Sequence, residues 1–324
     1  MLQTKHYLTE NPKPRRPRQP CLWSMEQGTI PLDTLDGGFD LQSTLESGQS
    51  YLWWRADGND YDAGTHGDDG WYLTTSRATG EPAVLRVRQR DDTIEWESTV
   101  DAAEILRRRL GLDDDLVDIR ATAPDDDLVQ NAFDEYWGMR IVRDPAFGGT
   151  ISFICSAQMR VSRIHGMQQS LREAFGTPVE FDGETYHAFP TPDQLAAATE
   201  DELRDLKLGY RAPYVKRTAE MVADGDANPD EARGLPYEEA REYLTQFVGV
   251  GEKVADCVLL FSLGYLQAVP LDTWIRKTIE EYYPECDRDN YADTSRAIRE
   301  RLGGEYAGYT QTYLFHYLRN GGDE

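Results

Sequence analysis

Lysine is what this sequence most lacks: six stand against 28 arginines in 324 residues. Acidic side chains outnumber basic ones 58 to 34, for a net charge of −24. This balance excludes a protein that holds polyanions by bulk positive charge. It suits a halophilic, haloarchaeal-like setting, where exposed carboxylates hold water and salt screens their repulsion. An ordinary acidic cytosolic protein is the alternative. In molar salt the screening length falls to about 3 Å, so attraction to phosphate is weak for any protein. A nucleic-acid partner then has to be held by hydrogen bonds, stacking and shape.

Cysteine clusters are also missing. Cys21, Cys155, Cys257 and Cys286 are widely spaced, none at metal-ligand separation, and no secretory signal precedes them. The expectation is reduced thiols in a cytoplasmic protein with no metal centre. No run is long and apolar enough for a membrane-spanning helix.

The first 24 residues differ from the rest. "NPKPRRPRQP" is basic and proline-rich, a composition that favours extended, unpacked chain. We expect a disordered tail over 1–24, upstream of a natural start at Met25, with a basic DNA-touching arm as the alternative. From about 38 to 100, "SYLWWRA", "GWYLTTS", "AVLRVRQ" and "TIEWEST" are short β-branched or aromatic runs between Gly/Asp turns, which predicts antiparallel strands. Leu85 and Val87 alternate with Arg86, Arg88 and Arg90, as in a half-buried strand. "DAAEILRRRLGL" predicts a helix. Beyond the polar joint "DDDLVDIRATAPDDD" the spacing is helical to the end, with "TISFICSAQMRVSRIHGMQQSLREAFG" read as one segment. Sheet first and helices after predicts the α+β class: an N-terminal antiparallel sheet domain over 25–122 and an all-helical domain over 123–324.

Within the helical part, "YLTQF-VGVG-EKVADCVLLF" reads as helix, tight glycine turn, helix. Gly249 and Gly251 permit φ > 0 and close backbone approach. Turn amides with a helix N-terminus make a site for one phosphate, assisted by a monovalent or divalent cation. The motif is a helix-hairpin-helix, a sequence-independent grip on a DNA backbone; a plain helix connection is the alternative. Lys253 falls in the first turn of the second helix, where dipole and burial both disfavour a cation. Its pKa is expected to fall toward that of a neutral amine able to form a Schiff base. The bland alternative lays its stem over the core with the ammonium in water. Cys257 lies four residues on, on the same face. Asp272 precedes "TWIRKTIEEYY" as a good N-cap. Capping would hold its carboxylate rigidly, where it can stabilise positive charge on a sugar or take a proton.

Together, "GVGEKVADC" and "QAVPLD" resemble the helix-hairpin-helix DNA glycosylases, and more narrowly the eukaryotic-type 8-oxoguanine DNA glycosylase/AP lyases. The resemblance runs from "LESGQSYLWW" through "ISFICSAQ", "FGTPVEFDGETYHAFPT" and "LKLGYRAPYV" to "YAGYTQTYLF". It implies a base-excision enzyme that flips 8-oxoguanine out of duplex DNA, forms a lysine Schiff base and nicks by β-elimination. Lys253 would be the nucleophile and Asp272 the assisting carboxylate. Gly48 would accept the N7–H that distinguishes 8-oxoguanine from guanine. Cys257 and Phe315 would sandwich the base, and Gln311 would read its Watson–Crick edge. Gln158 would fill the gap left by the flipped base. Arg163 and Arg211 would bind the orphaned cytosine, with Tyr210 as a wedge beside it. Without the resemblance, those arginines read as solvated helix charges.

Three positions depart from the family pattern. Gln158 replaces an asparagine, Trp274 a histidine near a phosphate, and Leu318 the aspartate that partners that histidine. They bear on lesion specificity more than on cleavage. The iron–sulfur glycosylases need four closely spaced C-terminal cysteines, and only Cys286 lies there, so no cluster or other cofactor is expected. A monomer acting on damaged double-stranded DNA is the implied state. A monofunctional alkylpurine glycosylase and a non-catalytic DNA-binding module remain the rival readings.

Overall fold

The computed structural model describes residues 25–61, 69–157 and 159–321. The expected tail, Cys21 and Gln158 lie outside them. Strand β1 (Glu26–Pro31) and helix α1 (Leu41–Glu46) come first, followed by β2 (Trp54–Arg55), β3 (Tyr72–Ser76), β4 (Ala83–Arg90) and β5 (Thr93–Ser98). These strands form one antiparallel sheet in the order β1-β5-β4-β3-β2. The predicted alternation on β4 holds: Leu85 and Val87 are buried, while Arg86 and Arg88 face Glu97 and Glu95 directly across on β5. Arg88 Nε donates to Glu95 at 2.7 Å, and both guanidiniums lie over the Trp71 ring. One face of the sheet is core and the other a ladder of ion pairs on aromatic surface.

Helices follow: α2 (Ala103–Arg109), α3 (Leu116–Thr122), α4 (Asp127–Glu135), α5 (Ala146–Ser156) and α6 (Val161–Phe175). A hairpin of β6 (Thr177–Phe181) and β7 (Glu184–Ala188) interrupts them. Then come α7 (Pro192–Ala197), α8 (Glu200–Asp205), α9 (Ala212–Ala223), α10 (Tyr237–Leu244), α11 (Glu252–Val258), α12 (Thr273–Tyr282), α13 (Tyr291–Arg301) and α14 (Ala307–Arg319). One buried apolar cluster runs through both halves, from Leu85 and Ile94 on the sheet through Phe153 to Tyr313 and Leu314 on α14.

Three local expectations change. The run at 50–56 pairs as a strand only over Trp54–Arg55; Tyr51, Leu52 and Trp53 are buried by side-chain packing, so their apolarity serves the core. The segment read as one helix over 150–176 breaks between α5 and α6. Arg160 caps α6 in an extended conformation, and the Ala157 carbonyl accepts from Arg211 rather than from a following helical amide. The helical half also carries the β6–β7 hairpin, whose Asp182–Gly183 turn takes positive φ at both residues, as tight hairpins require. Phe181 on it packs against Leu73 and Val84 of the sheet.

Between α4 and α5, Arg140 is completely buried. Its guanidinium donates to the carbonyls of Asp36, Gly38, Gly111, Leu112 and Asp114 at 2.5–3.3 Å. Tyr309 on α14 donates to the Asp114 side chain and accepts from the Ile141 amide. This clamp fastens the loops around α1 and α3 to the helical half. Replacing it by Arg140→Met keeps apolar bulk but removes the guanidinium from all five carbonyls, of which Asp36 and Gly111 keep the backbone amides of Leu116 and Asp114 as donors. We expect a loss of about 3 kcal/mol or more in urea unfolding, and a loss below 1 kcal/mol would show that the clamp is dispensable.

Candidate active site

The glycine turn between α10 and α11 is built as its spacing predicts, with Phe247 and Val250 turned into the core. Gly249 takes φ +89°, and a Cβ there would lie 2.9 Å from the Tyr214 ring. Both facts demand glycine. Gly251 is different: it is extended (φ −93°), caps α11 without a side-chain bond, and faces open space. It leaves the turn accessible and does not use positive φ. Exposed aromatics stand beside Gly249 and at the start of α12. Tyr210 is 55 % exposed and meets Tyr214 edge-on, centroids 6.1 Å apart. Trp274 is exposed too, with Lys277 Nζ 5.8 Å from its ring.

Lys253, on the first turn of α11, is half-buried, its Nζ 6.0 Å from the centroid of Phe153. Cys257, one turn on, is buried, with its thiol in hydrogen-bonding reach of the amine. Asp272 accepts the Ile275 amide at 2.9 Å as N-cap of α12. It lies close enough to Lys253 for each to shift the other's titration, without a direct ion pair. The expected depression of the Lys253 pKa is overturned. Burial does pull it down, but Cys257, Tyr51 and Asp272 outweigh burial and raise it above the ordinary lysine value. Burial pushes the Cys257 thiol up to about 11 and the Tyr51 phenol to about 12, so both are neutral at physiological pH and Asp272 is the countercharge that acts there. Burial raises Asp272 as well, against the pull of the Ile275 amide and Lys253.

The other predicted pocket residues fall into two groups. Gly48 sits at φ +88°, where a Cβ would lie 3.4 Å from the Phe315 ring, so the glycine and the phenylalanine meet. Gln311, one turn before Phe315 on α14, is buried, and its Oε1 has no hydrogen-bond partner among the described residues. On the other side, Arg163 is exposed near the start of α6, while Arg211 is buried and lies over the Tyr210 ring at 4.3 Å. Arg211 is thus a packed, inward-turned group and not a solvated charge.

Several neighbours escaped the sequence reading. Tyr51 interacts electrostatically with Lys253, Cys257 and Asp272, yet belongs to a run read as strand. Arg319 lies over Phe315 (5.6 Å) and Tyr61 (5.4 Å) and donates to the Glu46 carbonyl, bracing the Gly48 turn. Asp256, between Ala255 and Cys257, is fully buried and accepts from Tyr237 (2.6 Å) and Tyr291 (2.7 Å). The Tyr291 hydroxyl in turn accepts the Leu271 amide at 3.2 Å, one residue before Asp272. A charged residue inside an apolar helical face was the available signal for Asp256.

Comparison with known proteins places this geometry. Residues 151–303 match the model of the HhH-GPD superfamily of base excision DNA repair proteins, and residues 30–148 match the N-terminal domain of 8-oxoguanine DNA glycosylase. A probable N-glycosylase/DNA lyase of Methanothermobacter thermautotrophicus is 31 % identical over 88 % of this chain and 95 % of its own. The chain belongs to the 8-oxoguanine DNA glycosylase/lyase family. The Clostridium acetobutylicum 8-oxoguanine glycosylase/lyase, solved with double-stranded DNA containing cytosine opposite 8-oxoguanine, superposes on this glycosylase with TM-score 0.76. It is 29 % identical, covering 88 % of this chain and 93 % of that one. The 3-methyladenine DNA glycosylase of Archaeoglobus fulgidus shares the fold at TM-score 0.69 and 22 % identity, covering 90 % and 98 %. Among the described residues of this glycosylase, no His, Cys, Asp or Glu cluster is placed to hold a metal ion. No helix there is long and apolar enough to cross a membrane.

Asp256 gives a pH-dependent consequence. Burial pushes its carboxyl up to about 7, against the pull of Tyr237 and Arg241. The folded chain therefore holds this proton more tightly than the unfolded one. The stability it contributes is full below the unfolded carboxyl pKa of about 4 and is lost as pH rises through 7. Urea unfolding at pH 5 and pH 8 should show a larger drop for the wild type than for Asp256→Asn. Equal drops would remove Asp256 from the balance.

Proposed function

We propose that this glycosylase excises 8-oxoguanine from duplex DNA and nicks the strand by β-elimination. The observation that carries the reading is a half-buried amine, Lys253, beside a carboxylate, Asp272, that is fixed as a helix cap. Lysine is a group that can both hold and lose a proton, unlike arginine. With its pKa raised, Lys253 rests as an ammonium and transfers a proton to the departing purine before its lone pair attacks C1′, which leaves Asp272 ionised. The C1′–N9 bond breaks and the base leaves with that electron pair. The C1′–O4′ bond then breaks, O4′ takes the proton that Nζ gives up, and the Nζ–C1′ bond becomes a Schiff base on the opened sugar. Loss of a C2′ proton then expels the 3′ phosphate oxygen. Asp272 stabilises the positive charge that develops on the sugar meanwhile.

Base recognition follows from the pocket. The Gly48 carbonyl accepts N7–H of 8-oxoguanine, Phe315 and Cys257 flank the base, and the unpaired Gln311 amide oxygen receives a donor from its Watson–Crick edge. Guanine would set lone pair against lone pair at N7, a difference of a few kcal/mol. Gln158 and Tyr210 fill the duplex after flipping, which costs a few kcal/mol, while Arg163 and Arg211 hold the orphaned cytosine. The amides at Gly249 and Gly251 grip one phosphate, assisted by a cation. Residues 25–122 form the sheet domain and 123–324 the glycosylase domain of a cytoplasmic monomer that needs no cofactor for the chemistry.

Borohydride with a duplex carrying 8-oxoguanine opposite cytosine should trap a covalent complex of wild type, and none of Lys253→Gln. Asp272→Asn keeps the helix cap, so its unfolding midpoint should hold while base release slows about a hundredfold or more. Release of 3-methyladenine without trapping would instead support the alkylpurine reading. Binding without base release would support a module that only grips DNA.

A further inference from the structure

Away from Lys253 and Asp272, a cavity of about 690 Å³ opens where the sheet meets the helical half, sharing no residue with the candidate active site. Its size falls within the roughly 300–1,000 Å³ of small-molecule sites. We propose that it binds a small phosphomonoester with a flat apolar body, of the nucleoside monophosphate class.

Charge is the first argument. Six arginines line the cavity in a chain of net charge −24. Three are neutralised, Arg109 by Asp144, Arg143 by Asp114 and Arg233 by Asp230. The other three, Arg77, Arg108 and Arg172, form no ion pair among the described residues. The one unpaired carboxylate in the wall is Glu104. Within the wall itself two positive charges are left over, with Glu81 acting on Arg77 and Glu173 and Asp60 on Arg172 from outside it; the excess in the wall matches the nearly two negative charges of a phosphomonoester at pH 7.

Burial is the second. Arg172 is buried over the Trp54 ring at 4.1 Å, with only the Gln169 amide oxygen as hydrogen-bond partner, and burial pulls its pKa down to about 10. Among the described residues Arg77 gives one bond, to Thr177 at 2.7 Å, and its buried Nε has no partner; nor does the Arg172 guanidinium beyond the Gln169 amide oxygen, or the Nε of Arg109, which is nine-tenths buried. Buried donors left unpaired are costly, and an anion in the cavity offers them acceptors. The 11-residue helix α5 begins in the same wall with no side-chain cap at Pro145, adding free amides and the positive end of its dipole. Phe147 and Phe189, edge to face at 6.5 Å, supply an apolar wall for a flat ring.

Calorimetric titration of the full chain at fixed salt tests this with AMP, adenosine and inorganic phosphate. AMP should saturate one site, with adenosine and phosphate each at least tenfold weaker. Arg77→Gln/Arg108→Gln should weaken AMP at least tenfold, with unfolding midpoint and base release unchanged. No saturable AMP binding, adenosine or phosphate binding as tightly as AMP, or an unaffected double variant would overturn the proposal. Competition by a 5′-phosphorylated oligonucleotide, but not by its 5′-hydroxyl counterpart, would identify a strand end as the source of the phosphate; no competition by either would identify the free nucleotide. Equal competition by both would overturn a phosphomonoester site. The proposal is independent of the excision chemistry, since base release is read separately.

Discussion

The candidate active site depends on one buried carboxyl group that touches no reacting atom. Asp256 lies on the same helix as Lys253, three residues on, and through the Tyr291 hydroxyl it is linked to the Leu271 amide, next to Asp272. This bridge sets where the loop at 270–272 stands relative to α11. The Ile275 amide then orients the Asp272 carboxylate at the head of α12. Two elements that approach only in the folded chain are thereby registered to each other. Catalysis by positioned groups is lost steeply with misplacement of about 1 Å, so the supporting network matters as much as the pair it supports.

The electrostatics of the site run opposite to the usual account of an activated lysine. Burial favours the neutral amine, but Cys257, Tyr51 and the half-buried Asp272 together outweigh it and raise the Lys253 pKa. Cys257 and Tyr51 stay protonated because burial raises both.

Arginine performs structural work elsewhere in the chain. Arg140 bonds five backbone carbonyls, Arg109 joins β3 to Asp144, and Arg143 grips Asp114 with two bonds. A planar fork with five donors suits these tasks, and a single ammonium does not. The scarcity of lysine and the abundance of arginine thus have a visible consequence: guanidiniums fixed inside the fold by carbonyls and buried carboxylates. At position 253 the proposed chemistry reverses the preference, because a guanidinium does not give up its proton.

Much was legible in the chain itself. Alternation named the faces of β4, the Gly-x-Gly spacing named the hairpin, and Asp272 before an amphipathic run named a helix cap. Each is a local rule, satisfied by neighbours within a few residues. The break between α5 and α6, the burial of Arg211 and the raised pKa of Lys253 were not legible. Arg211 reaches across 54 residues to Ala157, and Asp272 acts on an amine nineteen positions away. Periodicity reports which face of an element is apolar, but it carries nothing about which distant charge will share that face. The amino-acid sequence alone determined the order of sheet and helices, the glycine turn and the place of Lys253 at the head of its helix. Only the tertiary structure decided its protonation, because a pKa is set by distance and burial, and both come into being when the chain folds.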